Sequence, residues 1–338
     1  MINFYRRMAR LSVPVKVRLE LTRLCNLRCV HCKVACDEKP CGELTVADLR
    51  KILPQLQAAG ASHLNVTGGE IFARPDAYEL LEAIFELDFL VNVQTNATLL
   101  RPDHVELLKR NVDKLISVNV SGYGGRAEVH EAVTQVPGSF RKTTETLFAL
   151  RDAGIPIAVF CMLMAENAAF HKETQEFFAR EGIHFQFGAL MISREDGCAM
   201  PLDHRVGDSL LGELPIPWDR YLNPDPESVP ERYTPETPIT EWCVVGRFPT
   251  VLPNGDLVPC SVIREPVGNL REKTFEEIWN NSPALDYFRS LTVKDLECRD
   301  CEYFPRCKPC LGIAFSEQGS YTARPLEYCR LTKKYLKI

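Results

Sequence analysis

Three cysteines on one short stretch constrain this chain more than any other feature of its sequence. Cys25, Cys29 and Cys32 are separated by three and by two residues. They follow the alternating run 15–21, which predicts a β-strand. Three thiolates on one loop can hold three irons of a four-iron cluster, and the fourth iron then has no protein ligand in this stretch. A metal position that is left open in this way is typical of catalytic sites.

A structural zinc site is the alternative for the same stretch, because such sites use four closed ligands. His31 or Cys36 would supply the fourth ligand. The spacing alone does not separate zinc from a cluster, but the preceding strand and the rest of the chain favour the cluster.

Composition limits the cellular setting and the classes of partner. The chain has 338 residues and a formal net charge of −5, so it lacks the positive charge typical of binding to nucleic acid or to an anionic membrane. No apolar run reaches the roughly 18 residues of a membrane span, and no signal peptide is evident. We therefore expect a cytoplasmic protein. Disulfides are rare in the cytoplasm, so the 14 cysteines indicate metal or cluster ligation.

Strands and helices alternate along the first 200 residues at steps of roughly 30 residues, which predicts parallel βαβ units. Six strands are expected, at 15–21, 63–67, 90–94, 115–120, 156–163 and 184–191. Either a doubly wound sheet or an open barrel satisfies this pattern. Unusual polar residues follow the carboxyl ends of the strands, which favours the barrel. We predict an α/β fold: a partial (β/α)6 barrel followed by a small cysteine-rich domain.

The predicted domain boundaries follow changes in composition. Residues 1–14 form a short lead-in, 15–203 the barrel core, 204–240 a proline-rich linker and 241–338 the cysteine-rich domain.

Seven further cysteines lie between positions 243 and 329. Cys243 precedes Gly255 by eleven intervening residues, and Cys260 follows that glycine after four. Cys298, Cys301, Cys307 and Cys310 are then separated by two, five and two residues, and Cys329 comes later. One or two zinc knuckles are the alternative, but two such sites need about eight ligands.

The first cysteine triplet is the signature of the radical SAM superfamily, which this sequence resembles. Gly68-Gly69-Glu70, which begins 36 residues after Cys32 at the end of the second strand, strengthens the resemblance. It implies that Cys25, Cys29 and Cys32 hold a [4Fe–4S] cluster whose open iron binds S-adenosylmethionine (SAM). One electron then cleaves the sulfonium and releases a 5′-deoxyadenosyl radical.

The same resemblance implies the residues that contact SAM. Gly68, Gly69 and Glu70 would approach its amino group; a plain glycine turn is the alternative. Asn119 and Ser121 would hold the ribose hydroxyls, although the family usually has aspartate at the second position. Arg194 would approach the carboxylate, and its alternative is a surface arginine. His31 would pack by the adenine, while Thr95 and Asn96 would line the active site.

The later cysteines resemble the SPASM extension of radical SAM enzymes, which binds two auxiliary [4Fe–4S] clusters. The family usually has three residues between the third and fourth cysteines of the central run, and here there are two. The first auxiliary cluster would have three cysteine ligands, so either another group completes it or one iron is open to substrate. The resemblance assigns Cys243, Cys260 and Cys310 to the first auxiliary cluster and Cys298, Cys301, Cys307 and Cys329 to the second.

Four cysteines remain outside these sets. Cys36 and Cys41 lie on the loop after the first triplet, Cys161 on the fifth strand and Cys198 after the sixth. Each is a candidate hydrogen donor to a substrate radical, but packing is the simpler interpretation of Cys161.

We expect an oxidoreductase of the radical SAM class that carries three clusters. The resemblance favours maturation of a ribosomally made peptide by crosslinking, thioether formation, epimerisation or oxidation. A separate leader-binding protein is a candidate partner, because only about 14 residues precede the first strand. A reductase, flavodoxin or ferredoxin would donate the electron. The alternatives are a tetrapyrrole side-chain tailoring enzyme, an enzyme like the anaerobic sulfatase maturases, and a non-catalytic electron carrier, which would need no SAM pocket.

Overall fold

The computed structural model describes residues 13–36, 42–216, 234–304 and 307–336. Six parallel strands lie side by side in chain order. This order is that of an open barrel, because a doubly wound sheet would reverse direction at its middle. The predicted fold class is confirmed. The strands are β1 (Lys16–Glu20), β2 (His63–Thr67), β3 (Leu90–Thr95), β4 (Leu115–Ser121), β5 (Ile157–Met162) and β6 (His184–Gly188).

Helices cover the outer face of this sheet. The main hydrophobic core lies between them and the strands. They are α1 (Val46–Ala58), α2 (Ala77–Phe85), α3 (Pro102–Arg110), α5 (Ser139–Asp152) and α6 (His171–Arg180). Two further helices, α4 (Ala127–Thr134) and the short α7 (Asp208–Leu211), contribute Val133 and Leu211 to a second hydrophobic cluster.

Alternation along β1 explains how the sheet divides its two faces. Val17, Leu19 and Leu21 are fully buried in the core under the helices. Arg18 and Glu20 therefore point to the inner side of the barrel, since successive side chains of a strand lie on opposite faces. The inner wall of the barrel thus carries charge directly below its mouth.

Helix α1 shows why the sequence pattern was informative. Thr45 accepts a hydrogen bond from the backbone of Asp48, whose carboxylate accepts one from the Thr45 backbone, so the helix begins with a capping box. Gly60 then takes a φ of +95° just after the helix ends, which suits a residue without a Cβ.

Helix α4 was not expected from the sequence. Only eight residues long, it carries a short apolar face formed by Val129 and Val133. Such a helix gives too few turns for its periodicity to stand out. Gln135 ends it in a left-handed conformation, with a φ of +59°.

The C-terminal region adds three strands to the barrel sheet. Strand β7 (Thr250–Val251) pairs in parallel with β1, and β8 (Asp256–Val258) and β9 (Gly268–Asn269) follow antiparallel. The C-terminal helices are α8 (Phe275–Asn281), which Thr274 caps, α9 (Pro283–Ser290), α10 (Leu311–Gln318) and α11 (Leu326–Leu336).

Several predicted features lie outside the described residues. These are most of the lead-in, the centre of the proline-rich segment and Cys41. Among the described helices, none has the length and apolar character that crossing a membrane requires. The four domain boundaries stay a prediction.

Candidate active site at the barrel mouth

The loop that carries the first cysteine triplet lies at the carboxyl end of β1. Helix α4 holds this loop in place: the backbone N–H groups of Arg28 and Val30 donate to the carbonyls of Thr134 and Val133, at 3.0 and 3.1 Å. The element that the sequence did not reveal is therefore the one that positions the predicted cluster loop.

Two of the three thiols of this loop, Cys25 and Cys32, lie in surroundings that favour the thiolate, whereas burial raises the pKa of Cys29. The Leu27 N–H donates to Cys25 Sγ at 3.5 Å, and Asn96 Nδ2 lies 4.0 Å from the same sulfur. Hydrogen bonds from Cys36 lower the pKa values of Cys25 and Cys32 to about 7. Donors directed at sulfur stabilise a thiolate, which is the form that binds iron.

Gly68 and Gly69 pack against the start of this loop. The Gly69 N–H donates to the Thr22 carbonyl at 2.8 Å, and the Glu70 N–H to the Leu24 carbonyl at 2.7 Å. A Cβ at Gly69 would clash with the Leu24 carbonyl oxygen. The glycines thus allow a close approach between two backbone segments, and this contact fixes the entry to the cluster loop.

Glu70 is completely buried, and its carboxylate joins several segments. It accepts hydrogen bonds from the Thr95 hydroxyl at 2.8 and 2.9 Å, from the Asn96 N–H at 2.6 Å and from the Phe72 N–H at 3.1 Å. Burial raises its pKa to about 7 despite these donors. The predicted contact with the amino group of SAM stays a prediction, and what the carboxylate contacts here is protein.

The remaining polar side chains at the strand ends differ in their surroundings. Asn96 Nδ2 donates to Asn26 Oδ1 at 3.0 Å, so it lies against the cluster loop. Asn119 donates to Asn92 Oδ1 at 2.8 Å on the inner wall. Ser121 is partly buried at the end of β4.

His31 and Tyr123 form an aromatic pair beside the cluster loop. Their ring centroids lie 5.0 Å apart in an edge-on arrangement, and the Tyr123 hydroxyl lies 3.4 Å from His31 Nε2. Burial lowers the pKa of His31 to about 4. The imidazole is therefore neutral at physiological pH and presents an uncharged surface, which suits the predicted adenine contact.

Arg194 forms an ion pair with Asp196 on the loop after β6, at 2.6 Å. Its guanidinium is engaged with a neighbouring carboxylate in this arrangement, so its predicted contact with the carboxylate of SAM stays a prediction.

The spare cysteines occupy three different environments. Cys36 lies within hydrogen-bonding reach of Cys25 and Cys32. Cys161 is 1% exposed in an apolar cluster, where Asn167 Nδ2 donates to its sulfur at 3.6 Å. Cys198 lies on the loop after β6, where its N–H donates to Asp196 at 3.1 Å. Cys161 is thus packed among apolar side chains, and the role of any spare cysteine as a hydrogen donor stays a prediction.

The later cysteines interact electrostatically in two sets, and their assignment to two auxiliary clusters stays a prediction. The charges of Cys243, Cys260 and Cys310 act on one another, and Cys298, Cys301, Cys307 and Cys329 form a second such group. Within the described ranges, no three His, Cys, Asp or Glu side chains converge as a single metal ion would require. A four-iron cluster needs no such convergence, because each cysteine binds a different iron.

A charged group that the sequence analysis did not identify joins the barrel mouth to the C-terminal region. Arg264 donates to Glu20 at 2.8 Å and to Glu195 at 2.5 Å. Lys33 Nζ donates to the Ser261 carbonyl at 2.8 Å. Two signals pointed to this group: charged residues on the inner-facing positions of β1, and a lysine directly after Cys32.

Two family models match the chain. The radical SAM superfamily model matches residues 19–177, and the iron–sulfur cluster-binding SPASM model matches residues 243–310. The chain therefore belongs to the radical SAM superfamily and is an enzyme with a C-terminal SPASM domain. These domains imply bound [4Fe–4S] clusters and SAM.

Several named relatives match the chain over most of its length. An AdoMet-dependent heme synthase of Methanosarcina barkeri is 27% identical over 332 residues, 92% of this chain and 95% of the relative. The subtilosin biosynthesis protein AlbA of Bacillus subtilis is 34% identical over 273 residues, 80% of this chain and 60% of AlbA. The mycofactocin maturase MftC of Mycobacterium tuberculosis is 26% identical over 329 residues, 94% of this chain and 82% of MftC.

Solved structures share the fold at low identity. SuiB of Streptococcus suis, bound to the precursor peptide SuiA, superposes with a TM-score of 0.73 at 17% identity, covering 97% of this chain and 80% of SuiB. Native anSMEcpe with bound AdoMet gives 0.72 at 17% identity, covering 96% of each chain.

Proposed function

We propose that this enzyme matures a ribosomally made peptide by abstracting hydrogen from one of its residues. The observation that carries the proposal is the 34% identity with a bacteriocin biosynthesis protein across four fifths of this chain. The maturase MftC, which resembles it over 94% of the chain, supports the same substrate class. The product would be a crosslink, a thioether, an epimer or an oxidised side chain.

In this proposal Cys25, Cys29 and Cys32 hold the cluster that binds SAM. When both are bound, the cluster and SAM together supply a 5′-deoxyadenosyl radical. Glu70 fixes the loop geometry through the Thr95 and Asn96 contacts. Neutral His31 and its partner Tyr123 present an apolar wall that keeps water from the radical.

The two later cysteine groups would hold two auxiliary clusters, for a total of three. Cys243, Cys260 and Cys310 provide three thiolates for the first of them. Its fourth ligand would come from the substrate or from a group other than cysteine. A cytoplasmic reductase, flavodoxin or ferredoxin would donate the electron, and a separate protein would bind the leader of the peptide.

A tetrapyrrole is the second candidate substrate, because the heme synthase relative matches nine tenths of this chain and of its own length. The reaction would then be radical tailoring of a side chain on the macrocycle. The same cysteines and the same SAM site would serve this chemistry.

The first experiment tests the cofactor set. Protein that is reconstituted without oxygen should contain about twelve irons per chain if three clusters form. With reductant and SAM it should release 5′-deoxyadenosine. An iron content near eight would contradict the third cluster, and absence of 5′-deoxyadenosine would contradict SAM cleavage.

The second experiment tests the substrate. Small peptides encoded beside the gene and a propionate-bearing porphyrin are each incubated with the enzyme, SAM and reductant in deuterated solvent. Mass loss or deuterium incorporation in the peptide supports peptide maturation. Change in the porphyrin alone would overturn the first proposal in favour of the second.

A further inference from the structure

A cavity of about 470 Å³ lies between the loop after β6 and the C-terminal region. Its walls combine Ile192, Val262 and Phe315 with the charged side chains of Lys33 and Arg264. Apolar walls with a few polar groups are typical of small-molecule sites. The two sides of the cavity are joined by a hydrogen bond between the hydroxyls of Ser193 and Ser316, at 2.6 Å.

Lys33 is a partly buried cation without a carboxylate partner. Its ammonium donates one hydrogen bond, to the Ser261 carbonyl at 2.8 Å. No carboxylate of the described chain lies within 4.0 Å of it. An ammonium has three donors, so two remain available.

The two carboxylates nearest to this cation are each engaged by an arginine. Arg264 is taken by Glu20 and Glu195, at 2.8 and 2.5 Å. Arg18, deeper on the inner wall, makes one hydrogen bond, to Gln94 at 3.3 Å, and has no ion-pair partner among the described residues. Arg23 also pairs with Glu195, at 3.3 Å, so four cations lie around two carboxylates. Buried charges without partners are costly.

The remaining acidic and basic side chains of the cavity are paired elsewhere. Arg194 binds Asp196 at 2.6 Å. Glu265 lies within hydrogen-bonding reach of the Tyr321 hydroxyl.

We propose that this cavity binds a carboxylate group of the substrate through Lys33, with Arg264 adding to the positive field. An anion there would use the free donors of the ammonium and complete the charge balance. The inference rests on the proposed function and narrows its substrate to a molecule that bears a carboxylate close to the modified position.

The place of the cavity in the chain suits this role. Lys33 directly follows Cys32, and the carbonyl that it contacts belongs to the residue after Cys260. A carboxylate held by Lys33 would therefore lie between the predicted SAM-binding cluster and the first auxiliary cluster. An acidic peptide side chain and a tetrapyrrole propionate offer the same chemistry.

The test compares matched acid and neutral probes on the reconstituted holoenzyme with SAM. The peptide probes are dansyl-labelled Gly-Ser peptides with one central Glu or one central Gln. The porphyrin probes are mesoporphyrin IX and its dimethyl ester. Binding is followed by fluorescence without oxygen. We expect the acid of one pair to bind about tenfold more tightly than its neutral partner, the size of one charge-assisted hydrogen bond.

Three variants assign that preference. Lys33→Gln should abolish it, Lys33→Arg should retain most of it, and Lys294→Gln, an exposed lysine of the C-terminal region, should leave it unchanged. Equal binding of acid and neutral probes by the unaltered enzyme would overturn the inference. So would a Lys33→Gln variant that keeps the acid preference but shifts the reduction midpoint of a cluster, because the ammonium would then serve the cluster.

If the peptide probes show the acid preference, the carboxylate belongs to a peptide side chain. If the porphyrin probes show it, the carboxylate is a tetrapyrrole propionate. Release of 5′-deoxyadenosine by the same variants is measured separately. In the unaltered enzyme, absence of the acid preference with normal release of 5′-deoxyadenosine would contradict the carboxylate site alone. Absence of 5′-deoxyadenosine release with an intact acid preference would contradict the radical chemistry alone.

Discussion

Glu70 illustrates how one buried side chain supports the whole site. Its carboxylate accepts hydrogen bonds from three residues on two segments, β3 with its following turn and the turn after β2. Asn96, one of those donors, also contacts the cluster loop. The geometry of the predicted SAM site therefore depends on a residue that is itself 0% exposed.

The first prediction concerns this carboxylate. Glu70→Gln replaces one acceptor oxygen with an amide donor and leaves a buried N–H or hydroxyl unpaired. We expect a loss of about 2–3 kcal/mol in the free energy of unfolding, together with reduced iron loading. Chemical denaturation and iron analysis measure these. Glu86→Gln, at an exposed ion pair with Arg50, is the control and should change stability by less than about 0.5 kcal/mol. A Glu70→Gln variant as stable as this control would contradict the assigned role.

The second prediction concerns pH. Burial lowers the pKa of His130 from 6.5 to about 4. Below pH 6.5 the unfolded chain gains a proton at this residue while the folded chain does not, so acid favours unfolding. His130 should therefore lower the free energy of unfolding by about 2 kcal/mol between about pH 7.5 and pH 5.

This contribution is measured by comparing the pH dependence of the unfolding free energy in a variant and in the unaltered protein. His130→Phe should flatten the fall in unfolding free energy with acid by that amount. His184→Gln, at an exposed histidine, should show the same pH dependence as the unaltered protein. A parallel pH profile for His130→Phe would refute the assignment.

At the level of elements, the contact between the turn after β2 and the cluster loop carries the third prediction. In Gly69→Ala the new methyl group would clash with the Leu24 carbonyl oxygen, which belongs to the backbone and has little room to move. We expect the free energy of unfolding to fall by about 3 kcal/mol or more. We also expect the loop that carries Cys25 to be displaced.

Thermal unfolding and iron content check this outcome. Gly207→Ala is the matched control, since a Cβ at Gly207 would meet nothing within 4 Å. Normal iron loading in Gly69→Ala would show that the loop tolerates the clash.

The secondary-structure elements also show which parts of the fold could be predicted from the sequence. The strands of the barrel were predictable because apolar residues alternate in runs such as Val17, Leu19 and Leu21. Helix α4 was not, because its role depends on distant contacts with Arg28 and Val30 that no local pattern records. The cysteines were identified by spacing, whereas the ion pairs of Arg264 required the fold.

At the level of the whole molecule, Arg264 connects the C-terminal region to the barrel. It bridges Glu20 of β1 and Glu195 after β6, and both carboxylates are largely buried. Its ion pairs span 244 and 69 positions of sequence. Such distant pairing could not be predicted from one sequence, since charge alone does not reveal a partner.

The fourth prediction follows from this connection. Arg264→Met leaves Glu20 buried without its ion-pair partner, while Glu195 keeps only Arg23. We expect the free energy of unfolding to fall by about 3–5 kcal/mol. Urea unfolding of the holoenzyme measures it. Arg141→Met, at an exposed pair with Glu145, should cost less than about 1 kcal/mol. Equal stability of the two variants would show that the bridge contributes little.

The parallel pairing of β7 with β1 also orders events during synthesis of the chain. Strand β1 ends at Glu20 and β7 begins at Thr250, so about 230 residues are made between them. At roughly 5–20 residues per second, the ribosome needs on the order of 10–50 s for that length. Throughout this interval the edge of β1 that later pairs with β7 has no partner strand, because β7 has not yet been translated. Each nascent chain therefore carries an open sheet edge until the segment that forms β7 has been translated.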